Sequence, residues 1–139
     1  MAFDLNEFKV DDKKELEGIV VHMSPKRWIR VARLGNRLFR DMYQEKMQPY
    51  EAAQRSGFLK DEVQEGIIRE TAARTILIDW GGFTENGQEV PYSPENAERA
   101  MKESQEFFAF VLEQAKEQNN FRPAKSETEK NSSTASTGS

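Results

Sequence analysis

The chain has 139 residues, 37% of them hydrophobic and 32% charged, with a formal net charge of −4 and no cysteine. That is the size of one domain, polar for its class but with nine Phe, two Trp and three Tyr to build a core. The lack of cysteine excludes a disulfide framework and thiolate chemistry, while the small net charge points to no particular partner.

The opening segment, MAFDLNEFKVDDKK, has no apolar stretch of the kind a secretory signal needs. Residues 1–15 are expected to be loosely ordered, with Phe3, Leu5, Phe8 and Val10 able to dock on a body that follows. Asp11, Asp12, Glu15 and Glu17 lack the spacing and glycine of a calcium loop, so they read as a solvated face.

From Glu17 to Leu34 the pattern is that of a β-hairpin. Ile19, Val21 and Met23 alternate with Val20 and His22, then Ile29 and Val31 alternate with Trp28, Arg30 and Ala32, across a turn at Ser24–Arg27. Gly35 and Asn36 break the second strand, and Asn36 suits a helix cap. A helix is expected over Arg37–Met47, where Phe39, Met42, Tyr43 and Met47 share one face. Pro49 ends or kinks it, a short helix runs to about Gln54, and Gly57 stops that one.

The next helix is expected over Leu59–Ile78, with the helix–loop junction at Asp79 and Trp80 and with burial increasing toward its C-terminal end. Gly81 and Gly82 terminate it. Asn86-Gly87 marks a tight turn in the following loop. Ser93 then caps a helix with Pro94 at its first position, running to about Gln118 and bending near Ser104. Trp80, Phe83 and Tyr92 flank this connection and are expected to form an aromatic corner. Trp80, Gly81, Gly87, Tyr92, Ser93 and Pro94 are its structural residues.

After Phe121 the character changes. Eight of the seventeen residues from Pro123 to Ser139 are Ser or Thr, a composition that cannot bury enough surface to offset its ordering entropy. The expected division is 1–15 loose, 16–121 folded and 122–139 disordered. The fold class is α+β, mostly helical, with an N-terminal hairpin. The apolar runs Ile19–Val21 and Ile76–Ile78 are far too short to span a bilayer.

Chemistry is sparse. The chain contains no nucleophile–base pair, no metal-ligand cluster and no phosphate-cradling loop, so neither catalytic residues nor a cofactor are expected. The single histidine, His22, reads as an edge-strand side chain. Lys26, Arg27, Arg30, Arg33, Arg37 and Arg40 form a basic cluster able to track a phosphate backbone, with Trp28 as a stacking face. The acidic whole and the nearby Asp41, Glu45 and Glu51 weigh against nucleic acid. Trp28, Arg30, Arg33 and Arg37 are better placed to meet acidic helices of another copy in a homo-oligomer. Phe39, Met42, Tyr43 and Met47 are core in the plain reading. In the functional reading they are a Met- and aromatic-rich face that accepts helices of a protein partner.

The order of a strand opened by Glu17-Gly18, ARLGN at Ala32–Asn36, ARTILIDW at Ala73–Trp80 and VPYSPEN at Val90–Asn96 resembles a family. It is that of the tail assembly chaperones of long-tailed bacteriophages and prophages. The resemblance covers roughly Leu16–Phe121 and is most specific at Ala32–Asn36 and Ala73–Glu95. It implies a non-enzymatic protein of the bacterial host cytoplasm. Such a protein binds the tape measure protein, keeps it soluble during tail assembly and is absent from the mature virion. It also implies a longer, frameshifted form that recruits the tail tube protein. Glu129-Lys130-Asn131 is compatible with a slippery run of adenines at that junction. Two other classes remain open: a head–tail connector or minor tail protein, and a nucleic-acid-binding regulator.

Overall fold

The structure, a computed structural model, describes residues 4–123. Phe3 and the tail beyond Pro123, including the Glu129-Lys130-Asn131 junction, lie outside the described residues.

The N-terminal segment opens with a 3-10 turn, Leu5–Phe8, whose Leu5 and Phe8 side chains are exposed. Helix α1, Asp12–Glu17, follows. Its cap is Asp11, which accepts the Lys14 N–H through its carboxylate and donates its own N–H to the Phe121 carbonyl at 2.8 Å. The two ends of the body are therefore tied together, and Phe121 is buried where the body was expected to end.

The hairpin forms as its alternation requires. Strands β1, Ile19–His22, and β2, Trp28–Val31, pair antiparallel with Ile19 opposite Val31 and His22 opposite Trp28. Ile29 and Val31 face the interior, while Val20 and His22 are exposed.

Helix α2 spans Arg37–Met47, a 3-10 turn follows over Gln48–Tyr50, and α3 covers Glu51–Arg55. Asn36 caps α2 by accepting the Phe39 N–H at 2.9 Å. Pro49 sits within the 3-10 turn, where its missing N–H costs nothing.

One expectation is corrected. The long helix does not reach Ile78. Helix α4 covers Asp61–Thr75, and Leu77–Gly81 is a third strand, β3, antiparallel to β2. The sheet order is β1-β2-β3. A run of three apolar residues has no period of its own, so Ile76-Leu77-Ile78 extends a helix or a strand equally well. Tertiary context decides. The second edge of β2 needs acceptors for its backbone donors, and Ala32 donates to the Ile76 carbonyl at 2.8 Å. A bulge between Arg30 and Val31 absorbs one extra residue of β3.

Gly82 leads into a two-residue hairpin, β4 at Thr84–Glu85 and β5 at Gln88–Glu89. Asn86 and Gly87 carry φ of 54° and 79°, the mirror-image turn that Asn-Gly favours. Helix α5, Pro94–Glu103, starts from the Ser93 cap, whose hydroxyl accepts the Asn96 N–H at 3.0 Å. Ser104 leaves helical geometry and caps α6, Gln105–Lys116, which makes the expected bend a full break.

Helix α4 packs against both α2 and α5, and α6 reaches β2. Ala72, Ala73, Ile76, Leu77 and Trp80 meet Ile29 and Val31 from the sheet and Ala97, Met101, Phe108, Val111 and Ala115 from the last two helices. The C-terminal end of α4 is its buried end, as the widening stripe implied.

Candidate protein-binding surface

The motif residues form a rigid corner. Trp80 enters it from strand β3, not from a helix. Its indole N–H donates to the Val90 carbonyl at 2.9 Å, and its ring meets Phe83, Tyr92 and Phe107 at centroid distances of 4.9, 5.6 and 6.4 Å. The Tyr92 hydroxyl lies 2.6 Å from the Leu77 carbonyl and 3.2 Å from that of Ala73, joining α5's approach to the α4–β3 junction. Burial and the nearby Asp79 carboxylate push the Tyr92 pKa up to about 12. Gly81 is bare because the Trp28 indole lies against it, where a Cβ would collide.

The basic cluster is distributed rather than gathered. Trp28 and Arg30 lie on the sheet, half-buried, with Arg30 opposite Asp79. Arg33 pairs with Glu15 at 3.0 Å, and Arg27 stacks over Phe83 at 5.6 Å. Arg37 and Arg40 are exposed on α2.

On the helical side, Phe39 and Tyr43 stack at 5.6 Å with their rings nearly parallel, both half-buried, and Met42 is half-buried beside them. Met47 is 4% exposed and lies in the interior. The Tyr43 hydroxyl accepts from the Gln64 amide at 3.1 Å. Gln64 also lines an open hollow of about 290 Å³, with Ile68, Phe108 and Leu112 as its apolar floor and Asp61 and Glu65 at its polar rim. The hollow lies between α4 and α6, which Gln105, at the start of α6, links by donating to Glu65 at 3.4 Å.

Sequence periodicity did not single out the most exposed apolar side chains here. Leu38 is 47% exposed and Phe58 81% exposed. Phe58 follows a closed helix stop: Gly57 donates to Gln54 and Phe58 to Ala53, the Schellman pattern, with Gly57 at φ 79°. In that motif the residue after the glycine usually packs back on the helix. Phe58 instead stands in solvent on a fixed backbone. The signal was a Gly-Phe pair following a short helix.

Among the described residues no group of three His, Cys, Asp or Glu is arranged to hold a metal, and no buried side-chain polar atom lacks a hydrogen-bond partner. No described helix is long and apolar enough to cross a membrane. The described surface carries exposed apolar side chains and a hollow with acidic residues in its lining.

Comparison with curated proteins gives no match, and comparison with solved structures gives none either. Residues 34–131 match the family model described as YdaY prophage protein. The match begins in the turn after β2, takes in α2 through α6 and covers well over half of the 139 residues, so the chain belongs to this family of prophage proteins.

Proposed function

We propose that this prophage protein is a tail assembly chaperone that binds the tape measure protein and keeps it soluble before the tail tube forms. The observation that carries the reading is the apolar area that the helical elements leave accessible. Leu38 and Phe58 are held in solvent, Phe39 and Tyr43 are half-buried, and an open apolar hollow adjoins Tyr43 through Gln64. A tape measure protein is a long helical chain with apolar stripes that aggregates if left bare. An amphipathic helix docked over the hollow would put one large side chain into it and its basic flanks against Asp61 and Glu65. Many copies along one tape measure chain supply avidity from weak single contacts. The function requires no turnover and no cofactor. A longer form carrying a second domain beyond the tail would recruit tube subunits to the coated chain.

Co-expression tests this. The soluble yield of the prophage's own tape measure protein rises with the chaperone present, and mass spectrometry of purified virions lacks this chain. An unchanged yield, with the chain retained in virions, would assign it instead to the finished tail or connector.

A further inference from the structure

Strand β1 is an outer strand of the three-stranded sheet, with one edge paired to β2 and the other paired to no strand among the described residues. Its pairing fixes which groups face outward. Met23 donates to Arg27 at 2.8 Å, so in the same antiparallel ladder Val21 with Ile29 and Ile19 with Val31 are the hydrogen-bonded pairs. The N–H and C=O groups of Val20 and His22 therefore point away from β2, off the edge of the sheet. Nothing in Ile19–His22 guards that edge. The strand holds no Lys, Glu or Pro, and it has no bulge. The Val20 and Met23 side chains beside it are 40% and 38% exposed.

We propose that this edge docks the same edge of a second copy, β1 against β1, antiparallel about a two-fold axis through Val21. The register follows from the outward groups. Val20 of each copy pairs with His22 of the other, giving four backbone hydrogen bonds and one six-stranded sheet. Charge selects a second copy as the occupant. In this register residue 24 lies opposite residue 18, which brings the turn carrying Lys26 against the end of α1 carrying Glu17. Both side chains are exposed, and neither has an ion-pair partner among the described residues. The two-fold axis makes this contact twice, once at each end of the paired strands. A strand from an unrelated chain would satisfy the backbone but would have no reason to carry an acid at one end and a base at the other in this spacing.

The inference is independent of tape measure binding, which uses the helical side. Its test is sedimentation equilibrium over a range of concentrations, with circular dichroism as the folding control. The wild-type chain shows a monomer–dimer equilibrium. Val20→Pro, which removes an outward N–H and leaves the β2 ladder intact, weakens association by at least about tenfold, since symmetry deletes two bonds. Lys26→Glu and Glu17→Lys each weaken it, and the two changes combined in one chain restore it. The native absence of cysteine permits a register test that does not depend on the proline variant. Val20→Cys mixed with His22→Cys gives a heterodimeric disulfide in preference to either homodimer, because hydrogen-bonded antiparallel partners lie within bridging distance. A strict monomer at high concentration would overturn the proposal. So would a dimer in which Val20→Pro, the charge swap and the cysteine pairing have no effect, since that dimer uses another surface.

Discussion

Asn36 and Thr75 join the two segments on which the family resemblance rests. The Asn36 amide nitrogen donates to the Thr75 carbonyl at 3.1 Å and to the Arg33 carbonyl at 2.7 Å, while its oxygen caps α2. The side chain is fully buried. One residue thus starts one helix, closes the turn after β2 and accommodates the end of α4 where the chain changes into β3.

The double duty is testable with Asn36→Asp. Aspartate caps a helix as well as asparagine does but has no N–H to donate, and here its charge would be buried. The expected loss is about 2–4 kcal/mol in denaturant unfolding. The ordinary cap variant Ser93→Ala should lose only about 1 kcal/mol. Equal losses at the two sites would show that the Thr75 and Arg33 carbonyls do not depend on Asn36.

Trp80 is 6% exposed at the centre of the aromatic corner. Trp80→Ala should cost about 3–5 kcal/mol. Trp80→Phe keeps much of the packing but leaves the Val90 carbonyl without its donor, at about 1–3 kcal/mol. Equilibrium unfolding separates the two. A loss below about 1 kcal/mol for the alanine variant would mean that the corner does not stabilise the fold.

Tyr92 makes stability depend on alkaline pH. Unfolded tyrosine ionises near 10, and the folded group near 12. Its contribution is therefore complete below pH 10 and is lost as pH climbs from about 10 through about 12, because the unfolded state gives up the proton first. Melting temperatures of the wild type and Tyr92→Phe, measured from pH 9 to 12, should converge across that window. A constant gap would contradict the shift.

Gly82 has φ 82°, and a Cβ there would meet the Lys26 backbone of the hairpin turn. Gly35 has φ 86° with open space around it. Gly35→Ala should cost about 1 kcal/mol, the left-handed backbone alone, and Gly82→Ala clearly more. Thermal unfolding of the pair isolates the collision from the dihedral.

Local grammar was the legible part of this fold. Asn36, Ser93-Pro94, Asn86-Gly87 and the hairpin alternation act within a few residues, and each sits where its chemistry places it. Strand β3 was not legible, because its identity depends on β2 some forty-five residues earlier and its own apolar run has no period. The surface was half legible. Periodicity places Phe39 and Tyr43 on a shared face, but it cannot say that Met47 is interior or that Leu38 and Phe58 stand in solvent. Those facts follow from where α4 packs and from the backbone set by Gly57.

The most direct test is capture of the prophage's tape measure protein on this chain, compared with the Leu38→Glu, Phe58→Glu double variant. Both side chains are exposed, so the variant should keep the wild-type circular dichroism spectrum and melting temperature. The account predicts that the wild type co-purifies with the tape measure protein in many copies per chain, and that the variant loses most of that binding. Equal capture by both proteins, or none by the folded wild type, would contradict it.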